Sequence, residues 1–300
     1  MAERNNLQSL ITIVVAIVIG AFVSWAGSDG GDRIGVVPVF ALCGMLAFAV
    51  NWLAFIPAAL AQTERYYDLT GGITYITVTV FAVLVSRVPD LRATLVAAMV
   101  MVWSLRLASF LFTRISRDGK DSRFDQIKNQ SLRFCMAWTL QGLWVLLTAA
   151  AALAVITGGA REPLGAVGIG GIAVWAAGML IEIVSDRQKS NFKRNPENEG
   201  KFIQSGLWAW SRHPNYFGEI LLWVGMAIIA MPVLQGWQWA TLISPVFVTV
   251  LLTRVSGVPL LEAKADKRWG GQDDYEEYKR KTPVLILKPP SGQARDDRVL

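Results

Sequence analysis

FCMAWTLQGLWVLLTAAAALAVI, residues 134–156, carries no charged side chain. A helix that crosses a bilayer needs roughly 20 mostly apolar residues, and this stretch alone has that length. A membrane strand would alternate apolar with polar positions, whereas here the apolar residues are continuous. Similar runs follow on both sides: 10–27, 40–61, 73–85, 95–112, 166–184, 220–234 and 239–252. Some are short alone and reach full length with their flanks. The spacing predicts an all-α, polytopic membrane helix bundle of about 7–8 transmembrane helices. Composition agrees: 53% of residues are hydrophobic and 17% are charged, against about 25% charged in soluble domains. The first run is long for a secretory signal peptide and lacks a clear A-x-A cut site, so it reads as a retained helix.

Lys and Arg in short loops set orientation. Segment 113–133 carries Arg114, Arg117, Lys120, Arg123, Lys128 and Arg133, and segment 185–216 carries Arg187, Lys189, Lys193, Arg194, Lys201 and Arg212. The turns at 27–34, 87–91, 157–164 and 235–238 are nearly free of them. Eight crossings then put loops 113–133 and 185–216, and both termini, on the cytoplasmic side. This bias accounts for most of the net charge of +6 without nucleic acid, for which no motif is present. Cys43 and Cys135 lie inside apolar runs and read as small core residues, with neither a disulfide framework nor metal-ligand spacing. The expected organisation is an N-terminal transmembrane helix and turn (1–33), a membrane domain (34–285) and a disordered tail (286–300).

The chemistry is confined to a few polar islands. Gly168-Ile-Gly170-Gly171-Ile-Ala173 fits a dinucleotide fingerprint, but it sits inside an apolar span with no preceding strand, and close helix packing explains it better. Residues 185–219, SDRQKSNFKRNPENEGKFIQSGLWAWSRHPNYFGE, hold the only histidine, His213. Lys189, Lys193, Lys201 and Arg212 offer phosphate contacts. Asp186, Glu197 and Glu219 can accept from hydroxyls. Asn191, Asn195 and Asn215 can donate and accept. Phe192, Trp208, Trp210 and Tyr216 supply flat surfaces. An anionic, aromatic, hydroxyl-rich ligand such as a nucleotide needs this mixture; a solvated loop is the plain alternative. Arg106, inside WSLRLASF, reads as the deepest basic residue, facing a buried partner or a cofactor. The second island, QTERYYDLTGG at 62–72, has an acid and tyrosines beside an apolar helix. They suit either carbonyl polarisation or an interfacial belt. Gly71 and Gly72 then allow a turn. With one histidine and no G-x-S-x-G, hydrolase chemistry has little support.

These motifs carry a resemblance. Asp186 with Lys189-Ser-Asn-Phe-Lys193, then Gly206-Leu207-Trp208, then SRHPNYFGE at 211–219, resemble the steroid 5-alpha-reductase superfamily. QTERYYDLTGG and the block at 103–124 resemble its bacterial branch. The resemblance covers roughly 40–285. It implies a membrane-embedded reductase that uses NADPH and passes hydride to the carbon–carbon double bond of a conjugated enone, as in 4-en-3-one steroids. It implies a bacterial inner-membrane setting, a hydrophobic small-molecule substrate and no metal. By motif match, Asp186, Asn191, Lys193, Arg212, Asn215 and Glu219 line the cofactor site. Lys189, His213, Tyr216, Arg106, Arg117 and Arg254 join them. A Glu and a Tyr hold the ketone oxygen in that family. Here Gln62-Thr63-Glu64 replaces an adjacent Gln-Glu, and Trp103 stands where a tyrosine would be expected three residues before Arg106. The catalytic pair expected here is therefore Glu64 with Tyr67.

Two other readings stand beside it. A membrane methyltransferase of the isoprenylcysteine carboxyl or phospholipid type uses S-adenosylmethionine and shares the R-H-P-x-Y-x-G-E turn; here Arg254, Glu262 and DDYEEY at 273–278 follow. The upstream islands favour the reductase. A lipid-binding scaffold without turnover is the third.

Overall fold

The computed structural model describes residues 2–87, 90–118 and 124–290, with side chains at 2–5 and 110–118 left out. Ten α-helices lie among them: α1 Ala2–Gly27, α2 Val39–Leu60, α3 Tyr67–Val85, α4 Leu91–Asp118, α5 Ser131–Thr157, α6 Ala166–Arg194, α7 Pro214–Ala230, α8 Ile243–Val250, α9 Val258–Trp269 and α10 Asp273–Lys281. A two-residue antiparallel hairpin, Arg33–Ile34 with Val37–Pro38, links α1 to α2. Eight helical stretches are long and apolar enough to cross a bilayer, and each coincides with an apolar run of the sequence. The protein is a polytopic helical membrane bundle. Of the expected tail, only residues 286–290 lie inside the described range.

The chain divides into two compact units, Met1–Gly171 with Met226–Ser244, and Ile172–Gly225 with Pro245–Leu300. In the first unit α5 is the central helix, contacted by α1, α2, α3 and α4. Its run from Ala149 to Ile156 is buried throughout, because small Ala side chains let neighbouring helices come close. Some of the polar groups inside are paired across helices. Asn51 Nδ2 donates to Thr74 Oγ1 (3.2 Å), and Trp52 Nε1 to Thr139 Oγ1 (3.0 Å). Cys43 is fully buried and Cys135 half-buried; both are free thiols.

Two local expectations need correction. Gly71 and Gly72 form no turn; they lie buried within α3. A Cβ on Gly72 would stand 2.5 Å from Ala108 Cβ of α4, so the pair serves helix contact rather than chain reversal. Among the described residues the most buried cation is Arg92, not Arg106. Arg92 is 2% exposed and donates to the carbonyls of Ile229 (2.7 Å), Pro163 (2.8 Å) and Glu162 (3.4 Å). The Ile229 carbonyl is in the last turn of α7, where a cation is favoured by the helix dipole. The turns read as poor in Lys and Arg hold ion pairs: Asp32, 8% exposed, meets Arg87 at 3.6 Å and Arg161 at 3.8 Å.

Candidate active site

Within the second unit, residues 211–219 are built from the chain outward. Pro214 opens α7 at the first helical position, where its missing N–H costs nothing. Ser211 Oγ donates to the Leu285 carbonyl (2.9 Å) and accepts from His213 N–H (3.1 Å). Arg212 N–H donates to Pro283 O (2.9 Å), and Lys288 N–H to Trp210 O (3.0 Å). The turn is thus tied to segment 283–288 before α7 starts. Behind it, Gly178 of α6 and Gly218 of α7 meet backbone to backbone. A Cβ on Gly218 would stand 2.6 Å from Gly178 O, and one on Gly178 2.5 Å from Leu222 N. Only two glycines allow the helices this close, and the contact lies about one turn from the polar residues each helix carries.

Glu262 of α9 organises the polar cluster. It takes Arg212 Nη1 at 2.6 Å and His213 Nε2 at 2.7 Å, while the His213 ring stacks on Tyr216 with centroids 5.6 Å apart. Tyr216 also packs on Gly257, just past a π-helical turn at Leu251–Val255; such turns recur at functional sites. Arg212 Nε and His213 Nδ1 are buried without a hydrogen-bond partner among the described residues. Asn215 Nδ2 donates to Asp186 Oδ1 at 3.3 Å. Lys189 Nζ lies 4.3 Å from the centroid of the Trp208 ring, and Trp208 Nε1 donates to Ser185 O (3.0 Å). Gly206 has φ +61, and its neighbour Leu207 donates N–H to Gln188 Oε1 (3.0 Å). This keeps the Gly206–Ala209 turn against α6.

The structure therefore brings Asp186 to Asn215, Arg212 and His213 to Glu262, His213 to Tyr216, and Lys189 to Trp208. Glu219 is half-buried on α7. Asn191 and Lys193 are exposed on α6, with Asn191 Oδ1 taken by Arg194. Arg254 is exposed on the π turn. Arg106 is half-buried on α4 in the first unit, and Arg117's side chain lies outside the described residues. Glu262 figured only in the methyltransferase reading, and Gln188 did not figure among the expected site residues. Their contacts span 50 and 19 positions in sequence, which no local pattern announces.

The second island is in the first unit. Helix α2 ends in a Schellman turn, with Gln62 N–H on Ala59 O (3.3 Å) and Thr63 N–H on Ala58 O (3.0 Å). Gln62 takes the left-handed position (φ 49) usually held by glycine. Two residues on, Glu64 is 5% exposed and accepts from Lys128 Nζ at 2.9 Å. Tyr67 opens α3 with its ring between Phe124 and Trp138, at centroid distances of 4.7 and 5.1 Å. Its hydroxyl donates to Ala137 O (3.0 Å). Trp103 is 2% exposed and meets Tyr75 edge-on at 4.9 Å.

Comparison with known proteins agrees with the resemblance. Over 116 residues the chain is 31% identical to bovine (Bos taurus) 3-oxo-5-alpha-steroid 4-dehydrogenase 1, covering 39% of this chain and 40% of that one. It is 36% identical over 72 residues to steroid 5-alpha-reductase DET2 of Arabidopsis thaliana, 23% of this chain and 24% of that one. It is 33% identical over 66 residues to the probable O-methyltransferase ustE of Ustilaginoidea virens, 22% and 23% of the two chains. The chain thus spans about two fifths or less of the length of these curated relatives. No solved structure matches it significantly. The family described as Protein of unknown function (DUF1295) matches residues 54–282. That range takes in QTERYYDLTGG, the Asn215–Asp186 pair and the Arg212–His213–Glu262 cluster, and it fills well over half the sequence, so the chain belongs to the DUF1295 family.

Proposed function

We propose that this protein is an NADPH-dependent membrane reductase that saturates the double bond of a conjugated enone in a hydrophobic, steroid-like lipid. The bacterial inner membrane is its proposed setting, with loops 113–133 and 185–216 facing the cytoplasm. The observation that carries the reading is the cluster at the start of α7. Arg212, His213, Asn215 and Tyr216 converge there with Asp186 and Glu262, and two buried nitrogens, Arg212 Nε and His213 Nδ1, lack partners among the described residues. Buried polar atoms in native proteins are nearly always paired, so unpaired ones fit a bound polar ligand.

NADPH, when bound, supplies the hydride. Lys189, Lys193 and Arg212, with Arg254 as a further contributor, offer charge to its phosphates. Asn191, Asn215, Asp186 and Glu219 offer hydrogen bonds to its sugar and amide groups, and Tyr216 a flat surface. In the second island Glu64, two residues after Gln62, and Tyr67 are proposed to stand beside the ketone oxygen; Tyr67 could donate to it only by releasing the Ala137 carbonyl. Similarity to named steroid reductases supports the substrate class.

The likeness to a probable O-methyltransferase favours a second reading, in which the same turn holds S-adenosylmethionine. The test is thermal stability of the purified protein in detergent with NADPH, NADH and S-adenosylmethionine in parallel. A ligand of the native state raises the midpoint with the logarithm of its concentration over Kd. A shift with NADPH is expected; a shift with S-adenosylmethionine alone would overturn the reductase reading.

A further inference from the structure

We propose that Lys128, rather than Tyr67, is the donor that meets the substrate's ketone oxygen, with Glu64 holding it in position; this rests on the reductase reading above. Glu64 is sealed, with a side chain 3% exposed, and Lys128 Nζ lies 2.9 Å from its Oε2. An opposite charge that close favours the ionised forms of both groups. The hydrogen bond to Glu64 indeed holds the Lys128 ammonium above the ordinary lysine range. Glu64 is then a carboxylate, which accepts hydrogen bonds and offers none. A ketone oxygen also only accepts, so Glu64 cannot hold it directly. Tyr67 has a hydroxyl, but that proton is given to Ala137 O and the ring is wedged between Phe124 and Trp138. On α4 the corresponding place is taken by Trp103, packed on Tyr75. Among the described residues, Lys128 is the cation that meets Glu64.

Its geometry suits the role. An ammonium has three N–H groups. Glu64 takes one, and Asp125 at 3.8 Å lies beyond hydrogen-bond distance. The Lys128 side chain keeps 23% exposure while that of its partner keeps 3%. Around the pair, Ala58, Tyr67, Phe124, Phe134 and Trp138 form an apolar cluster that Ile127 extends. A hydrophobic ketone would find there an apolar wall and one fixed cation.

The chemistry balances without further reagents. As the β-carbon of an enone accepts hydride from a reduced nicotinamide, the electron pair of the C=C bond moves through the α-carbon onto the ketone oxygen. The Lys128 ammonium, a donor aimed where negative charge develops, stabilises that enolate. Water then protonates the α-carbon, and a bulk proton neutralises the hydroxide. Enone, NADPH and one proton give saturated ketone and NADP+.

The experiment compares wild type, Lys128→Met, Lys128→Arg and Glu64→Gln. Three readouts are used: the NADPH thermal shift, turnover of a panel of 4-en-3-one steroids and simpler enones, and binding of a naphtholic steroid whose fluorescence separates phenol from phenolate. Lys128→Met is expected to keep the NADPH shift and to lose roughly 10²- to 10³-fold in kcat, the scale of a lost oxyanion donor. It should also bind the naphthol in its neutral form, where wild type binds the phenolate. Lys128→Arg should restore phenolate binding and part of the turnover. Glu64→Gln, which leaves the ammonium unanchored, should keep the NADPH shift and lose turnover. Full turnover and phenolate binding in Lys128→Met would overturn the role of Lys128 and leave the reductase reading intact. No NADPH shift, or no enone consumed, in wild type would overturn both.

Discussion

Gly218→Ala is the substitution that most directly tests how the residues proposed to hold the cofactor are positioned. The new Cβ would stand 2.6 Å from Gly178 O, 2.8 Å from Glu182 N and 3.1 Å from Glu182 Cβ. Two of those three atoms are backbone and cannot rotate away. Ordinary contact begins at 3.4 Å, so α6 and α7 must part by about 0.8 Å at that level, in an interior packed tightly enough to resist it. Asn215, about one turn earlier on α7, reaches Asp186 on α6 at 3.3 Å. A parting of similar size takes that contact past hydrogen-bonding range. The expected cost is about 1–3 kcal/mol of stability, typical of overpacking. A loss of about 1.4 kcal/mol in ligand contacts corresponds to tenfold weaker NADPH binding. The assays are the heat-denaturation midpoint in detergent and NADPH titration of tryptophan fluorescence. Gly170→Ala, on α6 with nothing within 4 Å of its Cβ, is the control and should be neutral or slightly stabilising. If Gly218→Ala matches wild type in both midpoint and NADPH affinity, the glycine contact does not set the cofactor geometry.

Three further outcomes are expected. Glu262→Gln breaks the pairs with Arg212 and His213; it should cost about 2–3 kcal/mol, less than a sealed pair because the Glu262 side chain keeps 22% exposure. An unchanged midpoint would reduce Glu262 to a surface acid. Glu64→Gln should keep the NADPH shift while losing most turnover, and unchanged kcat would remove Glu64 from the mechanism. At alkaline pH, burial first and then the Asp266 and Glu262 charges push the Tyr275 hydroxyl up to about 12, and burial raises Tyr278 as well. Because these folded values lie above the unfolded value near 10, the stability they contribute is complete below about pH 10 and is lost as pH rises toward 12. Midpoints measured across that window should fall, and Tyr275→Phe should flatten the fall.

The helices were legible in the sequence because hydrocarbon imposes a length rule on each span separately. No partner needs to be known to see that 134–156 crosses a bilayer, and α5 is indeed helical throughout that run. The helix contacts were less legible. Gly71 and Gly72 look the same in a sequence whether they bend the chain or admit a neighbour, and only the arrival of Ala108 decides it. The same ambiguity at Gly168–Ala173 resolves toward helix: the whole stretch lies inside α6, and a Cβ on Gly168 would meet Leu164 at 2.6 Å. Arg92 escaped notice because its partners are backbone carbonyls, which every residue has.

Pairing across long sequence distance was the least legible feature, and it bears most on function. Lys128 stood out only as one of six cations in a loop, a pattern that sidedness in a membrane explains by itself. Glu64 stood out as an acid beside an apolar helix, for which burial alone favours the neutral form. Placed 2.9 Å apart, each changes the meaning of the other: the acid becomes an anchor and the loop cation a fixed donor. Gln62 makes this possible, since its left-handed turn ends α2 and brings Glu64 inward two residues later. A non-glycine residue in that conformation costs on the order of 1 kcal/mol. Such strain persists where surrounding structure holds it, and it gathers at functional sites. The strained Gln62, the sealed Glu64 and the half-open Lys128 therefore point to one place in the first unit where chemistry, rather than packing alone, accounts for the sequence.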